Sequence, residues 1–307
     1  MNTHISRRKR ALSGVLLLDK DRDMSSNSAL QRARFLYGAA KAGHTGVLDP
    51  LATGLLPVCF GEATKFAQYL LDADKAYTAT LQLGVATSTG DAEGEVVATA
   101  DTHITLAQVQ SAIAAFSGEI TQTPPMYSAI KHQGKPLYEY ARAGITIERK
   151  SRQVTIYQID IVEFAYPTLI INVRCSKGTY IRTLAEDIAQ HMGTVAHLTA
   201  LRRTATAGFS IDQTHTLAAI SSLDESKRDN WLLPSDVLVQ HLPAATLTDK
   251  EILQLQHGIA VHSGQNYGTM CPLRIYATSG RFIGLVQYQA ASSRLKVLRL
   301  MSTNVES

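Results

Sequence analysis

Cysteine is scarce in this chain: three residues in 307, Cys59, Cys175 and Cys271, odd in number and far apart. That spacing excludes a disulfide framework and a C-x-x-C metal pair, and it suits a reducing compartment. No apolar run approaches the ~18 residues that a membrane-spanning helix needs. The net charge is only +4, from 30 Lys and Arg against 26 Asp and Glu, too small an excess to identify a nucleic-acid partner. Several catalytic signatures are missing as well. The glycines lack the Gly-Lys-Ser/Thr ending of a phosphate loop, nothing spells a dinucleotide fingerprint, and no G-x-S-x-G elbow marks a serine hydrolase. His44 has no second His or Cys at ligand spacing, so zinc is not expected.

What remains is a chain that is 45% hydrophobic and 18% charged, able to bury a sizeable core and unlike a disordered polymer. Its length is about twice that of one domain. Arg7-Arg8-Lys9-Arg10 followed by Ala11 to Leu18 resembles the start of a signal peptide. Where a small-residue cleavage site should follow, the chain reads Asp19-Lys20-Asp21-Arg22-Asp23. We therefore expect a solvated basic arm over 1–12 feeding a buried strand over 14–18, and a cytoplasmic protein.

Periodicity predicts helices over 25–37, 62–71, 106–116, 136–143 and 179–191. It predicts strands over 75–85, 154–164 and 168–175. On the first of these, Tyr77, Ala79, Leu81, Leu83 and Val85 share one face. The polar stretch 87–95 reads as an exposed loop. Strands and helices are interspersed without a regular βαβ rhythm, which argues for an α+β fold on a mixed or antiparallel central sheet flanked by helices. Residues 232–247 turn to Pro, Ser and Asp and read as a linker. Short strands at 273–276, 281–288 and 295–300 then suggest a small β-rich appendage. The expected division is 13–245 for the main domain and 246–307 for the appendage.

The most unusual stretch is Gly43-His44-Thr45-Gly46-Val47-Leu48-Asp49-Pro50-Leu51-Ala52-Thr53-Gly54-Leu55-Leu56-Pro57. It is too apolar for an ordinary solvated loop and too rich in Gly and Pro for a helix or central strand. Asp49 is the only acid between Asp23 and Glu62. A carboxylate in such company must find a partner or shift its pKa upward. Asp-Pro also suits a helix N-cap with proline at the first helical position, and composition does not choose between a cap and a nucleophilic carboxylate.

Read as a pattern, Gly43-His44-Thr45-Gly46-x-Leu48-Asp49-Pro50-x-Ala52-x-Gly54-x-Leu56-Pro57 followed by Gly61-Glu62-Ala63-Thr64-Lys65 resembles the signature of TruB-type tRNA pseudouridine synthases. Other segments agree in order and spacing: Gly14 to Lys20, Pro125 to Ala129, Leu137 to Arg142, Cys175 to Leu184, and Leu201-Arg202-Arg203. The resemblance spans about residues 14 to 210. It departs after Lys20, where the family has Pro, Gly and Ser or Thr and this chain has Asp21-Arg22-Asp23-Met24, which bears on local RNA contacts rather than on chemistry.

The resemblance implies a pseudouridine synthase fold with a C-terminal PUA-like domain, acting without cofactor or metal on uridine 55 of the TΨC loop of tRNA. It implies Asp49 as nucleophile, attacking either C6 of the base or C1′ of the sugar, with Arg182 keeping it ionised and Asp91 as a second acid on Arg182. Tyr77 would stack on the uracil, His44 would enter the space left by the flipped base, and Tyr180 and Leu201 would line the pocket. Lys131, Lys135, Arg142, Arg149, Lys150 and Arg152 cluster in sequence around Tyr127, Tyr138 and Tyr140, a combination suited to an RNA loop and its phosphates, with Lys131 and Arg142 expected to contact the RNA. The family suggests a monomer with no obligate protein partner. A non-catalytic RNA-binding module would need no carboxylate facing a base, and a glycoside hydrolase would need two cooperating carboxylates.

Overall fold

The computed structural model describes residues 9–268 and 272–302. Arg7 and Arg8 of the basic arm, and Cys271, lie outside the described residues. Arg10 is not solvated as expected: it pairs with Asp229 and, at 3.1 Å, with Glu225.

One large mixed sheet carries the main body. Its elements in chain order are β1 (Gly14–Lys20), α1 (Ser26–Leu36), β2 (Ala42–His44), β3 (Thr53–Phe60), β4 (Lys75–Leu83), α2 (Leu106–Ala115), β5 (Gly118–Gln122), α3 (Leu137–Arg142), β6 (Arg152–Ala165), β7 (Thr168–Cys175), α4 (Ile181–His191), β8 (Ala196–Thr206) and β9 (His215–Thr216). The strand order is β9-β1-β3-β8-β4-β7-β6-β5, with β2 added against β3. Neighbours run antiparallel except β1 with β9 and β3 with β8. The α+β expectation therefore holds. Alternation on β4 buries Tyr77, Ala79, Leu81 and Leu83 on one face.

Helix α1 starts where Ser25 accepts a hydrogen bond from the Ser28 N–H at 3.0 Å, and it buries Ala29, Leu30 and Ala33. Helix α4 buries Ile181, Leu184, Ala185, Ile188 and Ala189, a helical stripe laid on the sheet. Arg182 lies near the first of these and is carried into the interior with them.

Four expectations need correction. Residues 53–57 do belong to a central strand. Pro57 is accommodated because its carbonyl accepts from the Thr45 N–H at 3.2 Å, on the side away from β1, so its missing N–H removes nothing from the β1 ladder. The helix over 62–71 is two short 3₁₀ turns, Gly61–Lys65 and Ala67–Leu70. The loop 87–95 is not simply exposed, since Thr87 and Asp91 are buried in it. The stretch 232–247 is not a loose linker: Leu233 bridges to Val15, and Leu238 and Val239 are fully buried.

Ala244–Leu247, Pro272–Ala277, Phe282–Gln289, Arg294–Leu300 and Val261–His262 form a second sheet in that order, with helix Asp249–Gln256 beside it. It has its own core around Leu255, Leu273, Ile275 and Val286. This is the expected β-rich C-terminal unit. A third cluster joins the two sheets, with Leu285 packed among Val15, Leu17, Leu55 and Phe66.

Candidate active site

Loop 45–52, between β2 and β3, carries Asp49. No helix follows it, so Asp49 is not an N-cap. The loop is tied down from below. Ser26 donates its hydroxyl to the Leu48 carbonyl at 3.0 Å and accepts from the Leu48 N–H at 2.8 Å. The Pro50 carbonyl accepts from the Asp23 N–H at 2.9 Å and from Lys20 Nζ at 3.4 Å. Lys20 is fully buried and otherwise donates to the Asp21 and Met24 carbonyls. Burial lowers its ammonium pKa to about 8. The atypical Asp21–Met24 turn thus encloses a lysine that holds the Asp49–Pro50 corner.

Arg182 stands 2.9 Å from Asp49 through Nη2 and 3.7 Å from Asp91 through Nε. It also donates to the Thr89 carbonyl at 2.9 Å and the Tyr127 carbonyl at 2.7 Å. Four contacts fix a guanidinium that is 6% exposed, against 40% for the Asp49 side chain. Asp91 in turn accepts from Thr89 Oγ1 at 2.6 Å and the Glu93 N–H at 3.1 Å, which occupies its carboxylate. Burial pushes the Asp49 carboxyl above the usual carboxylate range, Arg182 pulls it back, and nearby Asp91 adds to the upward push. The expected cation is in place, but it offsets burial rather than cancelling it.

Asp49 and Arg182 lie where two cavities meet. One, about 180 Å³, is walled by Tyr77, Tyr180, Ile181 and Leu201. The other, about 390 Å³, opens past His44, Ser26, Glu93, Tyr138 and Arg142. The structure thus brings Asp49, Arg182, Tyr77, Tyr180 and Leu201 to one pocket and His44 and Arg142 to the adjoining cleft. Lys131 is exposed on the hairpin Lys131–His132/Lys135–Pro136 and lines neither cavity. Of the basic cluster, Arg142 lies over Tyr138 at 5.5 Å and Lys135 over Tyr140 at 5.0 Å, while Arg152 lies over Tyr180 at 5.0 Å rather than over Tyr127. Burial lowers the His44 imidazole pKa, favouring the neutral ring, and raises that of the Tyr77 phenol.

Sequence reasoning missed Ser26 and Lys20 as supports of the Asp49 loop, and the burial of Arg203. Arg203 carried a signal: with Leu201 facing the core, a period of two turns Arg203 inward and Arg202 outward. Arg202 accordingly reaches Asp19 at 2.7 Å on a more open surface, while Arg203 is 1% exposed. Among the described residues no group of three or more His, Cys, Asp or Glu could hold a metal ion, and no helix is long and apolar enough to cross a membrane.

A mixed α+β sheet thus carries a carboxylate–guanidinium pair at the mouth of a pocket walled by two tyrosines, the arrangement of an enzyme site built around an acid. Residues 34–181 match the TruB family pseudouridylate synthase (N terminal domain), and 182–240 match the tRNA pseudouridylate synthase B C-terminal domain. Curated relatives named tRNA pseudouridine synthase B include one from Neisseria meningitidis serogroup B, 64% identical over 295 residues, covering 96% of each chain. Another, from Chromobacterium violaceum, is 55% identical and covers 97% of this chain and 98% of its own length. The solved structure "Crystal Structure of a Cbf5-Nop10-Gar1 Complex" superposes with a TM-score of 0.71 at 25% identity, over 94% of this chain and 84% of that one. The chain belongs to the TruB family of pseudouridine synthases.

Proposed function

We propose that this protein isomerises uridine to pseudouridine at position 55 in the TΨC loop of tRNA, with Asp49 as nucleophile. The observation that carries the reading is the position of Asp49, fixed by a buried arginine at the mouth of a pocket with aromatic and aliphatic walls. Net chemistry balances: the C1′–N1 bond breaks, a C1′–C5 bond forms, C5 gives up its proton to solvent and N1 takes one up, so no redox partner or cofactor is required.

A uridine in a folded loop must be extruded first, at a cost of about a few kcal/mol. Tyr77 and Tyr180 offer the flipped base faces to stack on, Leu201 closes the pocket, and neutral His44 beside the cleft fills the vacated stack. Arg182 keeps enough of Asp49 ionised for attack at C6 or C1′. Asp91, its carboxylate already bonded, steadies Arg182 rather than serving as the second acid of a glycoside hydrolase. Arg142 and Lys131 contact the RNA backbone. Residues 13–245 act as the catalytic unit and 246–307 as a PUA-like RNA-binding unit. The protein works as a monomer in the cytoplasm, a setting supported by two unpaired, buried thiols, Cys59 and Cys175.

The test is release of hydrogen from C5 of labelled uridine in unmodified tRNA transcripts. Wild type releases one equivalent per tRNA, and Asp49→Asn releases none while still binding. No release above the Asp49→Asn level overturns the reading.

A further inference from the structure

Arg203 heads the fully buried side chains of the described residues by volume, and it is charged. Within 4.0 Å it has no carboxylate among the described residues, unlike Arg182, Arg202 and Arg10. An unpaired buried charge is among the costliest things a core can hold. Its backbone leaves it little freedom. Gly54 lies flat against it, at φ +101°, so that a Cβ there would meet the Arg203 carbonyl oxygen at 2.3 Å. Its Nε donates to the Leu55 carbonyl at 2.7 Å, Nη1 lies 3.9 Å from where a Cβ of Gly46 would stand, and Nη2 has no hydrogen-bond partner. The guanidinium therefore runs beneath the start of the Asp49 loop.

On β8, Arg203 is the cross-strand neighbour of Tyr77 on β4, just as Leu201 is of Ala79. Leu201 and Arg203 face the same side of the sheet, the side of the base pocket. The guanidinium also opposes the upward push of burial on the Tyr77 phenol.

We infer that Arg203 is a positioning residue for the isomerisation: from behind the pocket its guanidinium engages the lone pairs of the Tyr77 oxygen, orienting that hydroxyl as a donor into the pocket and holding the ring that stacks on the flipped base. A phenol oxygen that accepts from a cation becomes a stronger donor through its own O–H. Arg203 touches no RNA in this arrangement, so its contribution belongs to turnover and not to affinity. The inference rests on the proposed reaction, but the contact with Tyr77 is testable without it.

The first arm leaves Arg203 in place. In Tyr77→Phe, the guanidinium N–H resonances of Arg203, read by ¹⁵N NMR without RNA, shift relative to wild type; unchanged resonances overturn the contact whatever the activity. The second arm is a double-mutant cycle in single-turnover C5 hydrogen release. Arg203→Lys slows the wild-type background about 10-fold with tRNA affinity within about twofold, yet slows the Tyr77→Phe background less than about twofold. Full multiplication of the two losses, or a loss confined to affinity, assigns Arg203 to packing or to RNA contact and overturns the inference. Should wild type release no hydrogen, the proposed function fails, while the NMR arm still decides the contact.

Discussion

Ser26 and Leu48 exchange two hydrogen bonds, the Ser26 hydroxyl donating to the Leu48 carbonyl and accepting from its N–H, both buried. A single hydroxyl on the first turn of α1 thus fixes the residue before the nucleophile. Ser26→Ala leaves a buried donor and acceptor unpaired, a cost of about 1–3 kcal/mol. We expect that loss in urea unfolding and a turnover reduced about tenfold by the looser Asp49, with tRNA affinity retained. Unchanged turnover in a destabilised variant would show that the Asp49 loop is held by its other ties alone.

The acid limb of the pH–rate profile reports Asp49. Its carboxyl is raised above the ordinary 3.8 by burial, and Arg182 restrains the rise. Arg182→Met removes the restraint, so the limb in kcat/KM moves to higher pH. Arg182→Lys keeps a charge and moves it less. Because burial outweighs the ion pair, the stability effect has the opposite sense to that of an acid whose pKa is depressed. Folded Asp49 holds its proton more tightly than the unfolded chain, so its contribution to stability falls as pH rises from 3.8 through the folded value. Asp49→Asn abolishes that slope, which urea titrations at a series of pH values resolve.

Lys20 gives a second, alkaline signature. Its folded pKa of about 8 lies below the 10.5 of the free side chain. Between those values the unfolded chain holds a proton that the native state has lost, so stability due to this group rises with pH, by at most about 1.4 kcal/mol per unit. Below pH 8 the penalty for burying the charged ammonium is fully present. Lys20→Met is less stable overall, because three carbonyls lose their donor, but its unfolding free energy lacks this rise between pH 8 and 10.5. Parallel curves for the two proteins would place the Lys20 charge in solvent.

Gly54 sits where β3 and β8 run side by side, at φ +101° and with the Arg203 carbonyl 2.3 Å from any Cβ. Gly54→Ala meets both the steric cost of that backbone conformation and overpacking against a strand that cannot yield. The sum is about 2–6 kcal/mol. A markedly lower Tm is expected, and a variant as stable as wild type would mean that the β3–β8 contact opens without penalty.

Much of this was readable in the residues. The alternation of Tyr77 to Leu83 located a central strand and its buried face, and the capped pattern at Ser25 located α1. The Asp49 segment was conspicuous because a lone acid in apolar company needs a partner. What could not be read was long-range. Pro57 looked like a strand breaker because the side on which its nitrogen faces depends on where β2 ends. Asp91 sat in a polar stretch that only the arrival of α4 buries. Lys131 and Arg142, eleven residues apart and both basic, could not be told apart, since only the turn between them decides which one faces the cleft. Ser26 and Lys20 acquire their roles from backbone atoms of the Asp49 loop, which no side-chain pattern encodes.

Arg142 lines the cleft beside Asp49, stacked on Tyr138, while Lys131 stands exposed on its hairpin and lines neither cavity. If tRNA binding neutralises phosphates, the logarithm of affinity falls linearly with the logarithm of salt, and each lost phosphate contact lowers the slope by about 0.7–0.9. Arg142→Gln should lower the slope by about that amount and weaken binding most at low salt. Lys131→Gln, remote from the base, should lower it as much, because the RNA loop extends over the hairpin; an unchanged slope would confine binding to the cleft. Filter binding of a T stem-loop across a salt series measures both, and an affinity indifferent to salt would remove the electrostatic account of this surface.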